Sequence, residues 1–125
     1  MKPKSIGYFG EEKAALYLQN NHYEIIQRNF RKKWGEIDIV AKDKKTKEIV
    51  FIEVKTRKAN NFNGLMPEEA LTKKKISHLK RIFLSYLNQY NLEENAWRFD
   101  FIAVELEKNT QDQVIKHYKD IFLEF

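Results

Sequence analysis

The chain contains no cysteine among its 125 residues. That removes disulfides, thiolate metal sites and zinc fingers together, and it suits a reducing compartment. An apolar stretch fit for export or membrane spanning is also missing, since Met1-Lys2-Pro3-Lys4-Ser5 leads into a charged amphipathic segment. There are no internal repeats and no shift of composition to mark a second unit, and a chain of 125 residues suits one core. The expectation is a single domain over residues 1–125, cytoplasmic and without a membrane partner.

What is present describes a folded protein with a charged exterior: 42% hydrophobic and 33% charged residues. Lysine and arginine number 23 against 18 acidic residues, giving a formal charge of +5 and a pI near 9.3. This balance favours an anionic partner such as nucleic acid without identifying one, because charged surface also serves solubility.

Apolar positions Ile6, Phe9, Ala14, Leu16, Tyr17 and Leu18 predict a helix over residues 5–20, closed by Asn20-Asn21-His22. Residues 23–30 and 34–42 read as strands, the second carrying Ile37, Ile39 and Val40. The polar run Asp43-Lys44-Lys45-Thr46-Lys47 separates that strand from residues 48–56, so these two should form an antiparallel hairpin. Residues 58–67 read as an exposed loop with three Asn, a Gly and a Pro, and Pro67-Glu68-Glu69 as the start of a long helix ending near Tyr90. In that helix Ala70, Leu71, Ile76, Leu79, Ile82, Phe83 and Leu87 supply the apolar stripe, and Lys73, Lys74, Lys75, Lys80 and Arg81 the basic faces. Residues 97–105 read as a further strand, and the tail from Val114 onward has no clear type. The order is αβββαβ, an α/β domain.

Strand alternation places Glu36 and Asp38 on one face with Ile37 and Ile39 on the other, and Glu53 with Lys55 opposite Val54. Hairpin strands lie about 4.8 Å apart. A suitable register brings Asp38, Glu53 and Lys55 within reach of one ion and substrate. Hard oxygen ligands from Asp38 and Glu53 favour Mg²⁺ or Mn²⁺, and Lys55 is placed to orient a water or offset transition-state charge in phosphodiester hydrolysis. The plainer account is a strand emerging into solvent with Lys55 paired to one of the acids.

Asp38 followed by Glu53-Val54-Lys55 across a hairpin resembles the PD-(D/E)xK nuclease motif, though no proline directly precedes Asp38. More closely, the chain resembles the YraN-like family of uncharacterised small bacterial proteins, considered similar to Holliday junction resolvases. The matching residues are Lys4, Gly7, Gly10-Glu11, Ala14, Arg28-Asn29, Gly35-Glu36-Ile37-Asp38, Phe51-Ile52-Glu53-Val54-Lys55-Thr56-Arg57, Gly64, Ala70, Lys75 and Arg98-Phe99-Asp100. The chain departs from the family pattern at His22, where a glycine is usual, and over residues 60–66, where Leu65 and Met66 are bulky.

The resemblance implies a restriction-endonuclease-like core with a mixed central sheet, and a metal-dependent endonuclease acting on DNA, branched DNA included. By it, Glu11 joins Asp38 and Glu53 at the metal; read alone, Glu11 is helix-surface charge. Glu36 reads either as a support to the ligands or as an exposed strand acid. Arg57 and Lys75 read as phosphate contacts or as solvated basic surface. Cutting a junction on opposite arms would make a homodimer useful. The alternatives are a nucleic-acid-binding adaptor that keeps the fold without cutting, and a scaffold whose charges form an internal salt-bridge network. His22, His78 and His117 show no ligand spacing and receive no role, while Trp34, Trp97 and the phenylalanines read as packing, with Phe62 in the loop a candidate nucleic-acid contact.

Overall fold

The computed structural model describes residues 6–58, 72–107 and 113–123. Helix α1 (Ile6–Asn20) leads into β1 (Tyr23–Lys32), β2 (Gly35–Asp43) and β3 (Ile49–Lys58), then α2 (Lys73–Gln89), β4 (Trp97–Leu106) and β5 (Gln113–Tyr118). The strands form one mixed sheet in the order β1-β2-β3-β4-β5. Among the described strands only β3 and β4 are parallel neighbours, and α2 lies in the crossover that a parallel pair requires.

The run Ile49-Val50-Phe51-Ile52 is continuously apolar because both faces of β3 are covered. Ile49 and Phe51 pack with Leu79, Ile82, Phe83, Tyr86 and Leu87 of α2. Val50 and Ile52 pack with Ala14, Ala15 and Leu18 of α1. Phe51 and Phe83 stack with ring centroids 4.5 Å apart and planes within 3°. Helix, sheet and helix thus form three layers with β3 at the centre.

The tail that had no clear sequence type pairs as β5 with β4, from Phe101↔Tyr118 to Leu106↔Gln113. The long helix starts later than expected. Thr72 is extended, with φ −72° and ψ 161°, and its hydroxyl accepts from the Lys75 N–H, so it caps α2 and the helix runs from Lys73 rather than through from Pro67. Lys4, residues 60–66 with Phe62 and Gly64, and Pro67 and Ala70 lie outside the described residues. Among the described residues no helix is long and apolar enough to cross a membrane.

Candidate functional site

β2 and β3 pair from Lys42↔Ile49 to Ile39↔Ile52. One residue further along β2 a side chain takes over from the ladder: Asp38 Oδ2 accepts a 2.8 Å hydrogen bond from the Val54 N–H. The neighbouring strand is disturbed at the same level. Arg28↔Ile39 and Phe30↔Ile37 are paired, and Asn29 between them takes φ 54°. Asn tolerates that left-handed conformation better than most residues. Ile39 packs in the α1 cluster and Ile37 in the α2 cluster. The expectation that Ile37 and Ile39 share a face is corrected, since alternation requires an unbroken pleat. For Glu53 it holds: Val54 packs on the α1 side and Phe51 on the α2 side, leaving Glu53 and Lys55 to the α2 side.

Asp38 is therefore buried, at 6% exposure, where the hairpin opens. Burial raises its pKa and the Val54 N–H partly offsets the rise. Around it stand two further acids from other elements. Glu53 of β3 is pushed up to about 7 by burial and then by the Asp38 charge, with Lys75 and Lys55 pulling the other way. Glu11 of α1 is also pushed up to about 7, by burial and then by Asp38, with Arg28 opposing. Protonated Glu11 can donate to the Asp38 carboxylate, which raises Glu11 and lowers Asp38.

The approach of Glu11 depends on the residue before it. A Cβ at position 10 would fall 1.6 Å from Thr56 Oγ1 and 2.8 Å from Thr56 Cβ, so α1 closes onto β3 only because residue 10 is glycine. One face of the site is thus α1 at Gly10-Glu11. Another is the first turn of α2, from which Lys75 acts on both Asp38 and Glu53.

The fold sets Asp38 between Glu11 and Glu53, with Lys75 acting on Asp38 and Glu53 and Lys55 on Glu53, all residues that sequence reasoning singled out by motif and resemblance. Glu36 also acts on this field, raising Glu11, Asp38 and Glu53, while its own carboxylate pairs with Arg31 Nε at 3.0 Å on the surface. Arg57 lies two residues beyond Lys55 on β3, in register with Glu105 of β4.

A second polar cluster went unassigned in the sequence. Buried Arg98 donates from Nη1 to Asp43 and Glu48, from Nε to Asp100 and from Nη2 to the Tyr23 hydroxyl. Asp100 also lies 2.7 Å from His117 Nε2, and His117 Nδ1 lies 2.9 Å from the Tyr17 hydroxyl. With Nε2–H donating to the carboxylate, Nδ1 is left to accept from Tyr17. Two charges alternating inside the apolar strand Trp97-Arg98-Phe99-Asp100-Phe101 were the available signal, since buried charges need partners.

Fold and site together define a small α/β domain with an acid and lysine cluster at the mouth of an opened hairpin. A family model described as "Uncharacterised protein family UPF0102" matches residues 10–104, and the chain belongs to that family. A UPF0102 protein of Caldicellulosiruptor saccharolyticus is 42% identical over 115 residues, covering 92% of each chain. One from Geotalea daltonii is 41% identical over 119 residues, covering 95% of this chain and 90% of the relative. One from Clostridium botulinum is 42% identical over 120 residues, with 95% and 94% covered.

Proposed function

We propose that this protein is a divalent-metal-dependent endonuclease that hydrolyses phosphodiester bonds in DNA, in the manner of the PD-(D/E)xK nucleases. The observation that carries the reading is buried Asp38 with one acid acting on it from α1, Glu11, and another from β3, Glu53, both driven to about 7, while Lys75 and Lys55 act on Glu53. A chain gains nothing in stability from acids held this way, because burial and like charge both oppose their ionisation.

The donor set fits a hard cation. Carboxylate oxygens suit Mg²⁺ or Mn²⁺, whose charge would relieve the repulsion that raises these groups. Among the described residues no three carboxylate, imidazole or thiol side chains form a ready-made cage. Asp38 and Glu53 would hold the ion, with Glu11 beside Asp38 and the remaining positions left to water and phosphate, as is usual for Mg²⁺. When bound, such an ion neutralises charge on the scissile phosphate and makes a nucleophile available near neutral pH. Lys55, sharing a strand face with Glu53, orients the attacking water or meets the charge that develops on the phosphate. Lys75 holds the phosphate from the α2 side, and Arg57 lies further along the same strand as a backbone contact.

Branched DNA is the proposed substrate class, and paired cuts on opposite arms would call for a twofold dimer. The test is cleavage of labelled linear, flapped and four-way-junction DNA with Mg²⁺, Mn²⁺ or EDTA. Asp38→Asn keeps an acceptor for the Val54 N–H, so it serves better than alanine, alongside Lys55→Ala. Metal-dependent cutting that both substitutions abolish establishes the nuclease. Salt-sensitive binding with no cutting by the native chain would move the assignment to an adaptor that has kept the fold.

A further inference from the structure

Apart from the acid cluster, the feature most in need of an explanation is a tryptophan at the surface. Trp34 sits in the β1–β2 turn, 38% exposed, with the Arg81 guanidinium 4.2 Å from its ring centroid. The turn is pinned to the flank of α2: Lys32 Nζ donates to Gln89 Oε1 at 2.7 Å, and Gly35 faces Ile82. On that flank Lys74, His78 and Arg81 recur at spacings of four and three, so their side chains stack along one exposed face of the helix. Lys74, Lys75 and His78, with Thr72 and Leu79, line an open cavity of about 300 Å³ at the start of α2. A basic path therefore runs from Lys75, beside Asp38 and Glu53, along α2 to Arg81 and Trp34.

Arg81 lies six positions beyond Lys75 on the helix, a rise of roughly 9 Å. Strand phosphates recur at roughly 3.4 Å along a duplex axis, so that rise corresponds to roughly two or three nucleotides. Phosphate contacts account for the lysines but not for an aromatic ring left partly in water against a guanidinium. Tryptophan and arginine planes are what unpaired bases stack on, and a paired duplex keeps its base faces covered.

We propose that Trp34 and Arg81 form a stacking platform for an unpaired base a few nucleotides from the cut, and that Lys74 and His78 guide the strand between the platform and the acid cluster. This rests on the nuclease reading and deepens it by giving the site a preference for DNA with exposed bases.

Binding is measured in EDTA, so that no cutting intervenes, with single-stranded, blunt duplex and four-way-junction DNA. Native chain is compared with Trp34→Ala, Trp34→Phe and Arg81→Ala, each checked for folding by circular dichroism. Trp34 emission, taken as the difference between native chain and Trp34→Phe, should be quenched by single-stranded DNA and not by blunt duplex. Trp34→Ala should weaken single-strand binding roughly five- to hundredfold, the range for losing one base stack, and leave duplex binding within about twofold, while Arg81→Ala, which also removes a charge from the path, should weaken single-strand binding more than duplex binding. Trp34→Phe, which keeps a ring, should retain most of the affinity. Equal loss on duplex and single strand, or no loss at Trp34→Ala, overturns the platform while leaving the nuclease reading intact. Failure of the native chain to bind any of the three DNAs at low salt overturns both.

Discussion

That Asp38 and Glu53 lie close together was legible from the hairpin that joins their strands, whereas Glu11, helix-surface charge when read alone, entered only through the family resemblance. What the residue string does not carry is the strain of assembling them. Glu53 titrates near 7 in the fold against 4.5 for a free carboxyl, so its ionisation opposes folding above about pH 4.5, with the full penalty reached above about 7. Glu53→Gln in EDTA should therefore raise stability at pH 8 by about 1 kcal/mol, or roughly 3–5 °C in Tm, with little change at pH 4. A melting series at the two pH values checks this; equal shifts at both would remove the electrostatic explanation. Gly10 makes a steric prediction. Gly10→Ala should cost about 1–3 kcal/mol by driving a methyl into Thr56, and adding Thr56→Ala should recover part of that loss because the hydroxyl and Cγ2 contacts vanish. Denaturant melts of the two single variants and the double variant give the coupling, which should be favourable.

At the level of elements, period-two and helical patterning placed the first helix, the three-strand run and the strand after α2, and the polar loop between β2 and β3 foretold their antiparallel pairing. Local irregularities escaped that patterning. The displaced pairing around Ile26, the φ of 54° at Asn29 and the Thr72 cap are set by single backbone conformations and leave no periodic trace. β5 was hard to type because an edge strand covered on one side shows a weak pattern: its burial alternates only between half-buried and exposed along Gln113–Tyr118. The turn between α1 and β1 is a case where the sequence signal had a structural meaning. His22, at a position where the pattern the chain resembles has glycine, takes φ 70°. A side chain in that region costs about 1–2 kcal/mol, partly offset by the greater freedom glycine loses on folding. His22→Gly should stabilise the chain by about 0.5–1 kcal/mol, read from the denaturant midpoint at constant m-value.

Across the whole molecule two polar clusters have opposite electrostatic characters, and their contrast sets the response to pH. Asp43 and Asp100 are lowered below the usual carboxylate value, although burial by itself would raise them. Backbone N–H groups of Lys45, Thr46 and Asp120, together with Arg98 and His117, favour their ionised forms. Their stabilisation is complete above the unfolded value near 3.8 and is lost as pH falls through the depressed folded values. Glu11 and Glu53 behave in the reverse sense: each is raised to about 7, so each withdraws stability as pH climbs from about 4.5 to beyond 7. Arg98 ties β4 to the end of β2 through Asp43, to the loop before β3 through Glu48 and to Tyr23 of β1, and through Asp100 to β5, whereas Asp38 lies where β2 and β3 part. In EDTA the Tm should therefore be highest between about pH 4 and 4.5, falling toward pH 8 as the Glu pair ionises and falling below about pH 3.8 as the aspartates protonate. Mg²⁺ or Mn²⁺ should raise the pH 8 value and leave the acid limb where it was, because only ionised carboxylates hold the ion. Calorimetry from pH 3 to 8 with and without metal resolves the two limbs. A Tm that climbs steadily from pH 5 to 8 in EDTA would show that the acid cluster carries no net strain, and would take away the observation on which the metal site rests.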